Sequence, residues 1–253
     1  MKSIDLNCDM GEVAEAIGDG TQESLMPSLT SVNVACGGHA GDERTMKATI
    51  EQALRWKLAV GAHPGYPDRV NFGRLELSLS AEEIADFVFE QVRKLTDVAL
   101  ACGAQLTHVK PHGALYNQAV RDRAIAEAIA SGVARCGQDL VLVGLSGSPM
   151  LDVFREAGFP VAAEAFADRR YEPDGTLRSR RFADALIRDP AEAGRQAFRI
   201  VDRGRVMACN GVEIALNAQT ICVHSDTVGA PEIAASVAQT LRGAGVTLRS
   251  LSP

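Results

Sequence analysis

Apolar residues along the chain gather into short runs, each closed by a polar, Gly-rich turn and usually followed by a longer stretch with helical spacing. The runs Ser3 to Asn7, Ser31 to Ala35, Leu58 to His63, Gln105 to Lys110, Leu140 to Leu145, Val161 to Phe166 and Thr220 to His224 predict seven strands. Their mean spacing of about 36 residues suits a strand-plus-helix unit of a parallel sheet, which needs roughly 30 residues or more. The helices announce their ends. Ser80 with Glu83 forms a capping box for a helix to about Cys102, stopped at Gly103, with Ile84, Phe87, Val88, Leu95 and Val98 as its apolar stripe. Asp42 caps another, running to about Arg55. Ser148-Pro149 and Asp189-Pro190 each read as an N-cap followed by proline at the first helical position, with Gly158 and Gly204 as stops. One interruption breaks the alternation: Arg205 to Cys209 and Val212 to Leu216 flank Asn210-Gly211, which predicts an antiparallel hairpin before the last strand.

Side chains alternate across a strand, so each predicted strand divides into two faces. Asp5 and Asn7 oppose Ile4 and Leu6; Asn33 opposes Val32 and Val34; His63 shares a face with Gly61. His108 and Lys110 oppose Thr107 and Val109, Glu164 lies with Ala162, and His224 with Cys222. A parallel strand between helix layers should be apolar on both faces, because an unpaired buried polar group costs about 1–3 kcal/mol. Polar groups near the C-terminal ends of six strands instead point to a closed α/β barrel with a shared site at its mouth. No Pro/Ser-rich linker divides the chain, so residues 1–253 read as one domain.

Composition narrows the function. The 26 Lys and Arg against 32 Asp and Glu leave a formal charge of −6, which disfavours nucleic acid and anionic membranes and favours a small-molecule or protein partner. No apolar run is long enough to span a bilayer, and the start MKSIDLNCDMGE carries carboxylates where a signal peptide would be apolar, so a cytoplasmic location is expected. Six dispersed cysteines without a CxxC pair read as free thiols.

The loops after the strands repeat the strand-end chemistry. His39, His63, His112 and His224 sit at or just past strand ends, beside Asp42, Asp68 and Asp226 and among turn-forming Gly and Pro. Asp5, Asp9 and the histidines offer metal-ligand atoms. Yet HExxH is absent, and Pro111 keeps His108 and His112 from sharing a helical face, so no metal ligands are assigned. The rival use of these groups is proton transfer, with Lys110 stabilising negative charge. No GxxxxGK[ST] loop is present; Gly144-Leu145-Ser146-Gly147-Ser148-Pro149 is only a weak anion cradle. Five arginines, Arg169, Arg170, Arg178, Arg180 and Arg181, gather around the turn Pro173-Asp174-Gly175 and suit carboxylate or phosphate recognition.

The segments IDLNCDMGE, VNVACGGHAGD, GAHPGYPD, HVKPHGALYN, EAFADRRY and TICVHSD resemble, in order and spacing, the LamB/YcsF family, the A subunits of bacterial ATP-dependent 5-oxoprolinases. The resemblance covers nearly the whole chain and departs from the family pattern at Gly38, Asn71 and Ser225. It implies a distorted seven-stranded TIM-like (β/α) barrel similar to the glycoside hydrolase/deacetylase superfamily. It also implies cleavage of 5-oxo-L-proline to L-glutamate coupled to ATP hydrolysis, with ATP and its Mg as the expected cofactors and subunits B and C as partners. On this reading Asp5 or His63 is the base, His112 the acid and Lys110 the charge stabiliser. Asn7, Asn33, His39, Glu164, Arg169, His224 and Asp226 are the expected substrate-binding groups. Two alternatives use the same residues: a stand-alone metal-dependent hydrolase or deacetylase, and a non-catalytic subunit that holds substrate for a partner.

Overall fold

The computed structural model describes residues 2–251, so Met1, Ser252 and Pro253 lie outside it. In chain order the elements are β1 (Ser3–Met10), α1 (Ala14–Gly18), a 3-10 turn (Glu23–Ser28), β2 (Ser31–Ala35), α2 (Glu43–Arg55), β3 (Ala59–His63), α3 (Ala81–Ala101) and β4 (Leu106–Val109). There follow α4 (Gly113–Ala119), α5 (Arg123–Ala134), β5 (Val141–Leu145), α6 (Met150–Glu156), β6 (Val161–Phe166), α7 (Pro190–Arg203), β7 (Arg205–Met207), β8 (Glu213–Ala215), β9 (Thr220–Cys222), α8 (Ala230–Gly243) and β10 (Thr247–Leu248). The strands β1, β2, β3, β4, β5, β6 and β9 pair in parallel in that order, and β9 pairs back to β1, closing a seven-stranded barrel. Strand β10 adds to the N-terminal end of β1, and β7 with β8 forms the antiparallel hairpin predicted from Asn210-Gly211.

The helix ends follow the capping chemistry. Asp42 and Ser80 each complete a capping box, Asp189 accepts from the Glu192 amide, and Gly204 ends α7 in the left-handed conformation. One expected cap differs: the Ser148 hydroxyl donates to the Leu145 carbonyl at 2.7 Å, and Pro149 itself takes the N-cap position of α6. The outward faces of the strands, including Ile4, Leu6, Cys8, Met10, Val32, Val34 and Val109, pack under the buried faces of the helices as one apolar layer. Full burial of each large side chain there contributes about 1.5–3 kcal/mol. No helix among the described residues is long and apolar enough to cross a membrane.

Strand β1 continues three residues beyond Asn7, with Cys8 and Met10 outward, so Asp9 joins Asp5 and Asn7 on the inward face. Strands β3 and β4 meet at a register shift between Val60 and Gly61. A Cβ on Gly61 would lie 2.2 Å from His108 Nε2. Only glycine lets the His108 ring lie across β3 and reach into the barrel.

Candidate active site

The barrel interior is a hydrogen-bonded polar column. At the N-terminal end Asp5 accepts from the hydroxyls of Thr30 (2.6 Å), Ser31 (2.9 Å) and Thr220 (2.5 Å). Burial nevertheless pushes its carboxyl up to about 6. Above it, Asn7 donates to Thr220 Oγ1 and Glu164 Oε1 and accepts from Asn33, whose own carbonyl takes the His108 Nε2 hydrogen at 2.8 Å. Burial lowers His108 to about 3 and keeps it neutral. Asp5, Asn7, Asn33 and His108 thereby find partners, so the column escapes the penalty expected of unpaired polar groups between helix layers.

Lys110 forms the floor of the site. Its ammonium lies 2.9 Å from Asp9 Oδ1, 2.8 Å from Glu164 Oε1 and 3.2 Å from Cys222 Sγ, and 5.4 Å from the centre of the Phe166 ring. Burial alone would discharge it, but Asp9, Cys222 and Glu164 hold it well above its ordinary value. Burial likewise pushes Asp9 up, and His63 and Lys110 outweigh it, leaving Asp9 ionised well below the usual carboxylate range.

Beside this floor stand three histidines and Glu12. His63 Nδ1 donates to the Lys110 carbonyl at 2.7 Å, and His112 Nε2 donates to the Phe72 carbonyl at 2.9 Å. Their remaining nitrogens face each other at 3.0 Å. His39 stacks on His112 with centroids 3.6 Å apart, and its Nε2 lies 3.0 Å from Glu12 Oε1. Burial drives His112 well below its ordinary value and His39 down to about 2. Burial raises the Glu12 carboxyl. These four side chains can bring one ligand atom each within 4.8 Å of one another, a grouping that could hold a divalent metal.

The loops after β6 and β9 supply the far wall. Asp168, fully buried, accepts from the His224 amide (3.1 Å), from His224 Nδ1 (3.0 Å) and from the Thr227 hydroxyl (3.1 Å). That fixes the His224 ring, stacked on Phe166, with Nε2 left for the cavity. Asp226 holds Arg74 and Arg180, each at 2.6 Å, across the mouth; burial pushes its carboxyl up, but the Arg180 hydrogen bond and charge bring it down to about 2. Arg169 is buried with its Nε unpartnered, and burial brings it down to about 10. The cavity measures about 590 Å³, within the range of small-molecule sites.

His63, Lys110, His112, Arg169, His224 and Asp226 all line this cavity. Asn7, Asn33 and Glu164 lie in the column beneath it, and His39 stands behind His112. Asp5 is apart from the group: it lines a shallower recess of about 360 Å³ at the opposite end of the barrel, with Arg249 and Gln219. Three contributors, Glu12, Asp168 and Tyr116, were not singled out by sequence reasoning, and Asp9 was considered only as a source of metal-ligand atoms. Of the arginine-rich loop, only Arg169, Arg180 and Arg181 reach the cavity; Arg170 and Arg178 pair with Glu192, Glu172 and Asp184. At the departures from the family pattern, a Cβ on Gly38 would meet Gln91 Oε1 at 2.4 Å, so a larger residue needs a reshaped loop. Asn71 bonds Asp68, and Ser225 donates to the Asp9 carbonyl at 2.8 Å.

A structure of this architecture is already known. A lactam utilization protein from Thermus thermophilus superposes with a TM-score of 0.92 at 43% identity, over 99% of this chain and 100% of that one. A family 4 carbohydrate esterase from Streptomyces lividans superposes at 0.54 with 13% identity, covering 100% and 98% of the two chains, a likeness of fold alone. The A subunit of 5-oxoprolinase from Chloroflexus aggregans is 50% identical over 250 residues, 99% of each chain. The corresponding protein of Tolumonas auensis is 45% identical over 251 residues, 99% of this chain and 100% of its own. The LamB/YcsF family model matches residues 4–253, and with these relatives it establishes that the chain belongs to the LamB/YcsF family.

Proposed function

We propose that the chain is the catalytic A subunit of an ATP-dependent 5-oxoprolinase, opening 5-oxo-L-proline to L-glutamate in a complex with subunits B and C. The observation that carries this reading is a buried, charged Lys110 on the floor of a small cavity whose wall includes Arg169 and Arg181. Such a cavity suits a small molecule with one carboxylate and one polar amide. The names of the relatives at 45% and 50% identity support the same substrate.

The carboxylate of 5-oxoproline pairs with Arg169 and Arg181, and its lactam oxygen points at Lys110, where a fixed charge in a water-poor site stabilises developing negative charge. A five-membered lactam is a stabilised amide, and ATP enters as a second substrate to activate it. Its phosphates lie against Arg74, Arg121 and Arg180 on the outer wall, displacing Asp226, with Mg as the nucleotide's own counter-ion. Transfer of the terminal phosphoryl group to the lactam oxygen, with ADP leaving, opens the ring carbon to an attacking water; the C–N bond then breaks to leave an acyl phosphate, from which a second water releases phosphate and glutamate. His224, oriented by Asp168, takes the proton from the attacking water and returns it to the ring nitrogen. Asp9 keeps Lys110 charged and in place.

This division of labour moves the acid from His112 to His224, because both nitrogens of His112 are already engaged. It takes the base role from Asp5, which does not reach the cavity, and from His63, whose free nitrogen faces His112. A metal-dependent hydrolase is favoured by one observation, the grouping of Glu12, His39, His63 and His112. Reconstitution with subunits B and C decides between them: glutamate and phosphate released together from 5-oxoproline and ATP support the proposal. Hydrolysis by the isolated chain with added metal and no ATP supports the other reading.

A further inference from the structure

His63 and His112 are tied in a way that two neutral rings do not explain. A carbonyl oxygen only accepts, so the anchored nitrogens, His63 Nδ1 on Lys110 and His112 Nε2 on Phe72, both carry hydrogen. In neutral rings the other two nitrogens are then bare lone pairs, and they face each other at 3.0 Å. Glu12 Oε1 lies 3.4 Å from His112 Nδ1. Three electron-rich atoms so placed repel unless a positive centre lies among them, either a proton on His63, which Asp9 Oδ2 at 3.4 Å favours, or a metal ion. Around a tetrahedral ion with bonds of about 2.0–2.1 Å, neighbouring ligand atoms stand about 3.4 Å apart, close to the separations found.

The surroundings match a metal site as well. Anchoring a histidine through its far nitrogen to a main-chain carbonyl fixes ring orientation and tautomer, as in metal-ligating histidines generally. His39, packed flat on His112, donates its Nε2 hydrogen to Glu12 and holds that carboxylate in place. A Cβ on Gly65 would come within 2.7 Å of His39 Nδ1 and 3.1 Å of His112 Cβ, so the loop after β3 is pared to its backbone where the rings pack. Glu12, His63 and His112 line the cavity whereas His39 does not, which leaves one coordination position facing the substrate.

We propose that His63 Nε2, His112 Nδ1 and a Glu12 carboxylate oxygen bind one divalent transition metal of the zinc class, with His39 as a positioning residue. Two imidazoles and one carboxylate favour such an ion over Mg or Ca, which prefer all-oxygen shells. The inference concerns ion binding and stands apart from the 5-oxoprolinase reading: the chain could hold the ion and fail to act on 5-oxoproline, or the reverse.

The test uses the full-length chain stripped with chelator and titrated with Zn by calorimetry and with Co by visible absorption. The wild type should bind one ion, with a tetrahedral-type Co spectrum and zinc-dependent shifts of the His63 and His112 ring nitrogens in NMR. His112→Ala and Glu12→Gln should each weaken binding by at least about 100-fold, and His39→Ala by about 10–100-fold. Arg135→Ala, which removes an exposed pair with Asp86 on the helix layer, should bind as the wild type does. The ring-nitrogen signals of the wild type carry the test even if a variant fails to fold. Three results would overturn the proposal: no stoichiometric binding, a single shared proton between the two rings that zinc does not displace, or binding that survives His112→Ala. The last would place the ion in the other grouping, Asp9, Cys222 and His224.

Discussion

Replacing Asp5 with Asn separates the structural column from the reacting end of the barrel. Burial raises the Asp5 carboxyl from its ordinary 3.8 to about 6, against the three hydroxyls that favour its ionised form. At 1.36 kcal/mol per pH unit, that rise corresponds to about 3 kcal/mol. The folded chain therefore holds this proton more tightly than the unfolded chain does. Below pH 3.8 both forms are protonated and Asp5 carries no charge penalty; as pH rises from 3.8 through about 6 the penalty develops, and stability falls. Asn is neutral throughout and its neighbours' hydroxyls can both donate and accept, so Asp5→Asn should match the wild type near pH 4 and exceed it by up to about 3 kcal/mol at pH 7.5. Urea unfolding of both proteins across this range measures the difference, with the other titrating groups cancelling between them. Turnover of the assembled complex should be unchanged, because Asp5 lies four residues, about 13 Å of strand, from Asp9 at the reacting end. Parallel stability curves, or a variant that is less stable at pH 7.5 and inactive, would show that the ionised carboxylate is wanted and would refute this reasoning.

Other substitutions probe the remaining parts. Lys110→Met leaves Asp9 and Glu164 as uncompensated buried charges and should lower stability by about 3–5 kcal/mol in urea unfolding. Asp168→Asn turns one of the two acceptor oxygens at His224 into an NH2 donor and removes the charge, so the ring can adopt the other tautomer, and it should reduce kcat by about 10²–10⁴-fold while circular dichroism stays native. Gly61→Ala drives a methyl into the His108 ring and should destabilise the fold by about 1–3 kcal/mol, whereas a neutral outcome would mean that His108 can leave Asn33 without loss.

The strands were legible because alternation is a local signal, and the same alternation placed Asn7, Asn33, His108, Lys110 and Glu164 on the inward side. Height along the barrel was harder. Ending the first strand at Asn7 made Asp5 look like a strand-end residue, whereas it is the third of eight residues in β1 and sits deep. Cys8 and Met10, apolar at alternate positions after Leu6, carried the missing signal and would have brought in Asp9. Glu12 follows Gly11, whose φ of +77° turns the chain back toward the histidines, and no periodicity marks that turn. Asp168 reaches His224 across 56 residues of sequence. Pairings of that kind are set by barrel closure, which a single strand pattern does not encode.

The proposed chemistry takes place at the C-terminal mouth of this chain. Glutamate and phosphate release from 5-oxoproline and ATP, measured on the complex with subunits B and C carrying His224→Ala, tests it most directly. Loss of both products by at least about 10²-fold, with the variant still co-eluting with its partners, is the outcome expected of a proton-transfer residue. Near-normal release of both would place the reaction elsewhere and contradict the account.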